Sequence, residues 1–326
     1  MDTVQQTRIA VIDLGPYLAG ETGALERTGA ELGAAAEELG FYFVANHGVP
    51  QSLIDRVFEQ ADRFHSLPEE RKLEVRVQKK VVGYLPLGGQ TQRLKHSGHT
   101  HPDRSASFYV KDEYPPDHPY RQAGYNWVFD NRWPRDLPGF RETMLEYYQM
   151  MTGLFLKLLP LQSVALGLPA DYLTKHPAFN PTVNTLRLIC YPPRAEENVG
   201  QYGISPHTDF GYMTLLAQAT KPGLELVTRG GEWIQAPAPE GCFLANMADM
   251  GQRWTNDRFR STPHRVINLR GETRYSIPFF CGARWDVTLD CLPTCHSADN
   301  PPKYKPLSTG EYMAELQPKI YDALYE

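Results

Sequence analysis

The sequence predicts a mainly β fold, a β-sandwich or barrel with helices packed around it. Short strand patterns recur at regular spacing after residue 180, whereas helical patterns dominate the chain before that point. The 326 residues are enough to bury a large core. This length allows one large domain or two modest ones, and we expect one compact unit over 1–326, with an N-terminal helical and loop region over 1–136 and a β-rich core over 180–290.

The N-terminal part alternates strand and helix patterns. The run "RIAVIDL" over 8–14 predicts a strand, and apolar residues at helical spacing predict a helix over 21–39. A second strand is predicted over Phe41–Ala45. A second amphipathic helix follows over 51–66, and Ser52 is the candidate N-cap residue.

The middle of the chain contains one irregular and one strongly helical segment. Residues 68–136 are polar and rich in proline and glycine, and a long irregular segment in a compact protein is often a functional cover. We expect part of a substrate pocket there. From Phe140 to about Leu166 an apolar pattern predicts a long scaffold helix, bent near Pro160 because proline lacks a backbone donor.

The C-terminal half contains seven strand patterns separated by turn residues. They read "TLRLICY", "YMTLLAQ", "LELVT", "WIQAP", "CFLANM", "HRVINL" and "RYSIPFF". Their period of two is that of strands in a sheet. Many short strands after a helical half favour a sandwich or barrel core.

Composition excludes several classes of function. The formal net charge is −5 and the basic residues are spread thinly, so neither a nucleic-acid partner nor a membrane-binding patch is indicated. No stretch approaches the roughly 20 apolar residues of a membrane span, and no secretory signal pattern begins the chain. We expect a small-molecule substrate and a cytoplasmic location, and the oligomeric state stays open. The five cysteines lack paired spacing and are expected to be reduced.

The run "PHTDF" over 206–210 places an imidazole and a carboxylate two positions apart. Residues i and i+2 of a strand share a face, so His207 and Asp209 are candidate ligands of one metal ion. The other histidines of the β-rich half are His264, at the start of a strand pattern, and His296. Two imidazoles and one carboxylate leave coordination positions open, which suits oxygen chemistry at non-haem Fe(II).

Two other clusters compete for a metal. The run "HSGHTHPD" contains His96, His99, His101 and Asp103, and a second cluster contains Cys291, Cys295 and His296. The first lies in a polar loop pattern, where a mobile backbone would orient the ligands poorly. The second lacks the fourth ligand that a structural zinc site usually needs. Both are therefore weaker candidates than the histidine and aspartate of "PHTDF".

The strand pattern "RYSIPFF" places Arg274 and Ser276 on one strand face. A guanidinium binds a carboxylate through two hydrogen bonds, and a neighbouring hydroxyl adds a third. These two residues are a candidate anchor for a dicarboxylate. The alternative is a surface arginine beside a small strand residue.

Several of these motifs together resemble one known family. The combination of "HTD", "NMADMGQRWTNDRFRSTPHRV" and "RYS", with "VIDL", "GFYFVANHGVP" and "FHSLPEERK" in the first half, is similar to the isopenicillin-N-synthase-like branch of the iron(II)/2-oxoglutarate-dependent dioxygenases. The likeness covers nearly the whole chain. It implies a distorted double-stranded β-helix, or jelly roll, with an N-terminal helical region around it.

The resemblance also implies an activity and a set of site residues. His207, Asp209 and His264 would ligate Fe(II), while Arg274, Ser276 and Tyr191 would hold 2-oxoglutarate. The expected reaction uses O₂ to oxidise a small-molecule metabolite, with release of succinate and CO₂. Hydroxylation is the default outcome, with desaturation, cyclisation and demethylation as variants. The chemistry is centred on iron, and no separate catalytic acid or base is predicted.

Two rival functions and a set of substrate contacts complete the expectations. An Fe(II) oxidase on the same scaffold would work without 2-oxoglutarate, and a silent binding protein would keep only the fold. The candidate substrate contacts are Tyr84, Leu85, Phe108, Arg187 and Phe279. Arg187 suits either a carboxylate-bearing substrate or a structural ion pair.

The register of the last two strands can also be predicted. We expect a hairpin that turns through Leu269, Arg270 and Gly271, with glycine in the left-handed region at its end. This turn would place His264 opposite Ser276, so that ligand and anchor line one cavity. A two-residue turn would send Ser276 to the other face.

Overall fold

The computed structural model describes residues 9–78, 81–91, 101–193, 201–218, 222–269 and 271–320. The strands are β1 (Ala10–Asp13), β2 (Phe41–Ala45), β3 (Gly83–Leu85), β4 (Ala106–Val110), β5 (Thr185–Tyr191), β6 (Ile204–His207), β7 (Met213–Gln218), β8 (Leu224–Val227), β9 (Trp233–Gln235), β10 (Phe243–Met247), β11 (His264–Val266), β12 (Arg274–Cys281), β13 (Thr288–Leu289) and β14 (Leu307–Ser308). The helices are α1 (Gly15–Leu18), α2 (Ala24–Glu38), α3 (Gln51–His65), α4 (Glu69–Leu73), α5 (Pro119–Gln122), α6 (Phe140–Ala165), α7 (Tyr172–Lys175), α8 (Asp249–Trp254) and α9 (Thr309–Leu316). Short 3₁₀ helices cover Pro177–Phe179 and Gln317–Lys319. None of these helices is both long and apolar enough to cross a bilayer.

Two sheets form the β-rich part of the molecule. The large sheet has the order β1-β2-β10-β7-β12-β5-β4-β3, in which β1 and β2 are parallel and the other pairs are antiparallel. The small sheet has the order β6-β11-β8-β9 and is antiparallel throughout. The pair β13-β14 stands apart. Most neighbours in each sheet are distant in sequence, as in a jelly roll.

The helices cover one face of the large sheet. Leu32 of α2, Val57 of α3 and Phe155 of α6 belong to the same buried cluster as Leu186 of β5 and Ile277 of β12. Each helix presents an apolar stripe to the sheet, as its sequence pattern predicts. The N-terminal helices therefore support the large sheet from behind and leave its other face for the second sheet.

A second buried cluster fills the space between the two sheets. Phe41 of β2 and Ile189 of β5 pack against Leu226 of β8 and Val266 of β11. Strand residues alternate between the two clusters, so each strand of the large sheet has one face toward the helices and one toward the small sheet. The predicted mainly β fold with flanking helices is confirmed, as two facing sheets without a closed barrel among the described strands.

Individual element predictions agree with the structure to different degrees. The strands over 41–45 and 185–191 and the long helix have the predicted positions. Ser52 is not the cap of α3, because Pro50 occupies the N-cap position and no side chain caps that end. The irregular segment 68–136 contains strands β3 and β4, which extend the large sheet.

The predicted hairpin between β11 and β12 is wrong. β11 pairs with β6 and β8 in the small sheet, whereas β12 pairs with β5 and β7 in the large one. His264 lies opposite His207 and Leu226 rather than Ser276. The connection carries the chain from one sheet to the other, and its residue Arg270 lies outside the described residues.

Candidate active site

Three buried side chains converge where β6 ends and β11 begins. The ligand atoms of His207, Asp209 and His264 all lie within 4.8 Å of one another, and no other group of histidine, cysteine and acidic residues in the described chain is close enough to hold a metal. Asp209 Oδ1 is 3.8 Å from His207 Nε2 and 3.6 Å from His264 Nε2. The donor set therefore faces a common centre.

Strand pairing brings the two histidines together. His207 ends β6, and His264 begins the antiparallel strand β11 directly opposite. Asp209 lies two residues beyond the end of β6, so its side chain reaches the centre from a loop. The sequence pattern instead predicts that His207 and Asp209 share one strand face. The position of the Asp209 carboxylate therefore depends on contacts other than the pairing of β6 with β11.

Both histidines follow the same short sequence pattern. They end the tripeptides Ser205-Pro206-His207 and Thr262-Pro263-His264. His207 Nδ1 is 2.8 Å from the Ser205 carbonyl oxygen, and His264 Nδ1 is 3.1 Å from the Thr262 carbonyl oxygen. An Nδ1–H that donates to a carbonyl leaves the Nε2 lone pair free for a metal.

Each tripeptide is tied to a different part of the molecule. The Ser205 backbone N–H and hydroxyl both donate to Asp103 Oδ1, at 2.9 and 2.8 Å. The Thr262 hydroxyl donates to the Leu39 carbonyl oxygen at 2.6 Å. Burial raises the pKa of Asp103, against the effect of these hydrogen bonds. The residues before each histidine thus fix the backbone from which the imidazole projects.

Two neutral side chains orient the carboxylate of Asp209. Thr214 Oγ1 and Asn246 Nδ2 donate to its Oδ2 at 2.5 and 2.8 Å, which leaves Oδ1 toward the histidines. Burial alone would raise the pKa of Asp209, but the two imidazoles and these hydrogen bonds outweigh burial and lower it. Burial, followed by His264, lowers the pKa of His207 to about 3.

These protonation states suit metal binding. At neutral pH the carboxylate of Asp209 is ionised and the imidazole of His207 is neutral, so neither must lose a proton to become a ligand. Two imidazole nitrogens and one carboxylate oxygen are the ligand set of a non-haem Fe(II) site with open positions. The residues present therefore fit a ferrous ion.

Asp249, at the start of α8, connects the ligand segments to the C-terminal helix. Its carboxylate accepts hydrogen bonds from Thr208 Oγ1 at 3.1 Å, Ser261 Oγ at 2.6 Å and the Tyr312 hydroxyl at 2.8 Å. Its backbone N–H donates to the Asp209 carbonyl oxygen at 2.9 Å. Sequence reasoning missed this residue, although it lies in the run that carried the family resemblance.

An inner cavity, of about 490 Å³ when the space at its mouth is counted, lies between the sheets and ends at the candidate metal centre. All three converging side chains line it, together with Arg274, Ser276 and Tyr191. Arg274 is only 1% exposed, so its charge is directed into the protein. Such a buried cation favours an anionic ligand in this cavity.

The predicted anchor residues contact one another on the large sheet. Arg274 of β12 lies opposite Tyr191 of β5, and its guanidinium is 5.2 Å from the tyrosine ring centre. The Tyr191 hydroxyl and Ser276 Oγ are 3.2 Å apart. His264 and Ser276 thus line one cavity as expected, but from opposite sheets and not from one hairpin.

An outer cavity of about 920 Å³, counting the space at its mouth, lies on the other side of the centre. His207 and Asp209 line both cavities, as do Arg187 and Phe280. Lys111 lines only the outer one. The candidate metal centre therefore stands where the two cavities meet.

Of the five predicted substrate contacts, Arg187 alone lines these cavities. Phe108 and Phe279 face the helices, where Phe108 packs on Phe64 and Phe279 packs on Tyr148. Each is one position from a residue that lines the outer cavity, Tyr109 or Phe280. A one-residue error moves a strand side chain to the opposite face.

The other two predicted contacts are also engaged elsewhere. The Tyr84 hydroxyl donates to Glu69, and its ring packs on Phe64. Leu85 belongs to a small cluster that includes Leu316 and Ile320. Both side chains are buried away from the lining of the two cavities.

The rival metal clusters do not assemble in the described chain. His96 and His99 lie outside the described residues, His101 is exposed, and Asp103 binds Ser205. Cys291, Cys295 and His296 form no group of converging donors, and all five cysteines are free thiols.

Comparison with known proteins gives the same assignment for both halves of the chain. Residues 9–136 match the model described as the N-terminal region of the non-haem dioxygenase in morphine synthesis. Residues 182–283 match the model of the 2OG-Fe(II) oxygenase superfamily. The second match contains both histidines, the aspartate and the arginine of the site.

Curated relatives extend the match to nearly full length. The chain is 32% identical over 319 residues to the 2-oxoglutarate-Fe(II) type oxidoreductase hxnY of Emericella nidulans, which covers 95% of this chain and 90% of the relative. It is 34% identical over 275 residues to the 2-oxoglutarate-dependent dioxygenase tropC of Talaromyces stipitatus, with 80% and 82% covered.

Solved structures share the fold, and one of the two compared here contains alpha-KG. A putative 2OG-Fe(II) oxygenase family protein from Caulobacter crescentus has a TM-score of 0.82 at 30% identity, over 96% of this chain and 99% of that one. Neurospora crassa T7H in complex with alpha-KG also has a TM-score of 0.82, at 27% identity, over 96% and 97%. With these relatives and the converging histidine, aspartate and histidine, the chain belongs to the isopenicillin-N-synthase-like branch of the 2-oxoglutarate-Fe(II) oxygenases, enzymes that use Fe(II), 2-oxoglutarate and O₂.

Proposed function

We propose that this enzyme hydroxylates a small-molecule metabolite at a ferrous centre held by His207, Asp209 and His264. The observation that carries the proposal is the position of these three residues at the junction of two cavities. One cavity serves the cosubstrate and the other the substrate. Both molecules then meet at one metal, as oxidation coupled to 2-oxoglutarate requires.

The inner cavity is the proposed site of 2-oxoglutarate. Arg274 and Ser276 would bind one carboxylate of the dicarboxylate, with Tyr191 beside them. The opposite end of the molecule carries the keto acid and would lie toward the metal ligands. Charge-assisted hydrogen bonds in a buried cavity give both affinity and a fixed orientation.

The outer cavity is the proposed substrate site. When bound, Fe(II) would activate O₂, the oxidant, with 2-oxoglutarate as the electron donor that is converted to succinate and CO₂, for oxidation of a C–H bond of the substrate. The chain's own contribution is to orient the imidazoles through Ser205 and Thr262, to direct the carboxylate through Thr214 and Asn246, and to keep water out. No described side chain is required as a proton donor for this reaction.

The function is tested by measuring whether succinate formation is coupled to oxidation of the substrate. Candidate metabolites are incubated with Fe(II), 2-oxoglutarate and isotopically labelled O₂, and succinate and product are measured together. The proposal expects one succinate for each hydroxylated product, with one labelled oxygen in each. Oxygen consumption without 2-oxoglutarate would instead indicate an independent oxidase, and failure to bind one Fe(II) per chain would indicate a silent binding protein.

The cosubstrate anchor is tested separately by Arg274→Ala. Loss of two charge-assisted hydrogen bonds is expected to raise the 2-oxoglutarate concentration needed for half-maximal rate by about 100-fold, because each tenfold corresponds to roughly 1.4 kcal/mol. Iron should stay bound at one per chain. Arg56→Ala, which removes an exposed arginine paired with Glu146, is the matched control. An unchanged requirement in Arg274→Ala would refute the anchor.

A further inference from the structure

A buried lysine lines the outer cavity. Lys111 follows β4 directly and is 9% exposed. Its Nζ donates to Thr185 Oγ1 and lies 4.9 and 5.9 Å from the ring centres of Phe129 and Trp285. An ammonium has three donors, and the threonine hydroxyl accepts from one of them.

No acidic side chain among the described residues forms an ion pair with Lys111, and its two acidic neighbours in sequence have other partners. Asp112 accepts a hydrogen bond from Gln149, and Glu113 accepts from Trp133 and Arg141. Burial lowers the pKa of Lys111 to about 7, with no neighbouring charge contributing. A buried cation without an anion is unfavourable, so this position gains most from an anionic ligand.

A second cation lies on the same strand faces. Arg187 is the register partner of Tyr109, two residues before Lys111, and both cations line the outer cavity. Arg187 donates to the neutral oxygens of Ser107 at 2.8 Å and Gln90 at 3.0 Å. Arg187 therefore adds a second positive charge to the cavity and does not neutralise Lys111.

The acids near this cavity are already engaged. Asp209 is directed to the metal centre by Thr214 and Asn246, and Asp103 binds Ser205 and Gln90. The cavity side that carries the two cations thus has no free carboxylate among its described lining residues.

The remaining lining of the outer cavity is mainly aromatic and apolar. The rings that line it belong to Tyr109, Phe129, Phe210, Phe280 and Trp285. Flat aromatic surfaces of this kind favour a planar ligand, which stacks on rings at little entropic cost. An anionic end toward Lys111 and a flat body along the rings would place the rest of the molecule beside His207 and Asp209.

We propose that the substrate is a flat, largely aromatic carboxylate whose acid group pairs with Lys111 in the outer cavity. This inference rests on the proposed function, because it assigns the substrate class of that same site. The carboxylate completes the hydrogen bonds of the buried ammonium, and the aromatic side chains hold the ring so that a C–H bond faces the metal ligands.

Binding of matched acids and amides tests the inference without turnover. The enzyme loaded with Fe(II) and 2-oxoglutarate is titrated without O₂ by calorimetry, using cinnamate, naphthoate and indole carboxylate and the primary amide of each. At least one acid is expected to bind about tenfold or more tightly than its amide, since a charge-assisted hydrogen bond is lost in the neutral compound. Absence of any acid preference, including failure of every acid to bind, would overturn the inference.

Lys111→Met assigns the preference to this residue. The variant keeps an unbranched side chain that is shorter by one heavy atom and has no charge, so the acid and the amide are expected to bind equally. Lys157→Met, at an exposed position of α6, is the matched control and should retain the wild-type preference. A full acid preference in Lys111→Met would also overturn the inference. Iron content and 2-oxoglutarate binding of each protein are measured in parallel, because their loss would refute the proposed function instead.

Discussion

Each imidazole of the candidate metal centre is oriented by the backbone carbonyl two residues before it. The serine or threonine of the tripeptide is itself held by a distant group, Asp103 for Ser205 and the Leu39 carbonyl for Thr262. The precision of the site therefore comes from parts of the chain far from His207 and His264 in sequence.

Removal of Asp209 tests the metal centre at the residue scale. Asp209→Ala is expected to bind less than one tenth of the wild-type iron and to lose turnover, because two imidazoles alone hold Fe(II) weakly. The donors of Thr214 and Asn246 lose their acceptor, which costs about 1–3 kcal/mol each if they stay buried and unpaired. Metal analysis and urea unfolding measure the two effects.

The control for this variant is Asp55→Ala, an exposed acid on α3, which should keep its iron. Retention of one iron per chain in Asp209→Ala would contradict its assignment as a ligand. Complete loss of the folded state would show that the carboxylate has a structural role beyond metal binding.

The buried lysine predicts a pH dependence of stability. The folded-state pKa of Lys111, about 7, lies below the roughly 10.4 of a lysine in an unfolded chain. Burial of the charged ammonium destabilises the folded protein fully below about pH 7. Between about pH 7 and roughly 10.4 the unfolded chain binds more protons than the folded protein, so this destabilisation decreases as the pH rises. Lys111→Met removes the penalty and should raise the free energy of unfolding by on the order of a few kcal/mol at about pH 6.

Urea unfolding of Lys111→Met and wild type between about pH 6 and 10 measures this difference. The difference in the free energy of unfolding between the two proteins should decrease steadily across that range. Lys157→Met, with an exposed lysine removed, should differ little from wild type at every pH. A gap that widens with pH would show that Lys111 is stabilised as a cation in the free protein.

At the residue scale the sequence predicted the three candidate metal ligands better than the residues that orient them. The pattern "HTD" and the family resemblance pointed to His207, Asp209 and His264, which the structure brings together. Thr214, Asn246 and Asp249 were missed, although the last two lie in the run that carried the resemblance, because each acts through a tertiary hydrogen bond that its neighbours in sequence do not predict. Phe108 and Phe279 were placed on the wrong strand face, since a run of buried residues hides its alternation.

At the scale of elements, α9 connects the chain's C-terminal part to the outer cavity. Thr309, Met313 and Gln317 line that cavity, and Tyr312 binds Asp249. Ser308 begins the helix with a capping box, in which its hydroxyl accepts from the Glu311 N–H and the Glu311 carboxylate accepts from the Ser308 N–H. The order of this helix therefore affects the proposed substrate site.

The cap gives a prediction with an internal control. Ser308→Ala is expected to lower the free energy of unfolding by about 1 kcal/mol and to speed amide hydrogen exchange in α9. Ser52→Ala should change stability by less than about 0.5 kcal/mol, because Ser52 lies inside α3 and caps nothing. Equal effects of the two substitutions, measured by urea unfolding and hydrogen exchange, would contradict the assigned cap.

Elements were predictable where local pattern and tertiary role agree. The strand over Phe41–Ala45 and the helix over Phe140–Ala165 are strongly apolar and buried, so pattern alone located them. The partners of β11 and β12 were not predictable. Strands that are neighbours in sequence usually form a hairpin, but here the chain crosses from one sheet to the other between them. Strands β3 and β4 lie in a segment whose prolines and glycines masked their short apolar runs.

At the scale of the whole molecule, the two halves of the site belong to different sheets. The histidines His207 and His264 lie in the small sheet, whereas Arg274, Ser276 and Tyr191 lie in the large one. The space between the sheets is therefore both a hydrophobic core and the proposed cosubstrate cavity. A ligand that reaches from Arg274 to the two histidines therefore contacts both sheets.

This arrangement predicts that metal and cosubstrate stabilise the fold together. Mn(II), which resists air oxidation, and 2-oxoglutarate are expected to raise the unfolding midpoint more in combination than the sum of their separate shifts. A ligand at 100 times its dissociation constant adds about 2.7 kcal/mol to the free energy of unfolding. Calorimetry of wild type measures the shifts, with Asp209→Ala and Arg274→Ala as controls that each lose the excess. Additive shifts in wild type would contradict a bridging ligand.

The separation of anchor and metal ligands on facing sheets has a consequence for the end of each reaction cycle. If Arg274 holds one carboxylate as proposed, succinate would keep that contact, but its second carboxylate lacks the adjacent keto oxygen with which 2-oxoglutarate would chelate the metal. Each turnover would thus replace a ligand held firmly from both sheets by one that is held less firmly on the metal side. In the proposed reaction, conversion of 2-oxoglutarate to succinate would itself favour release of the product before the next cycle.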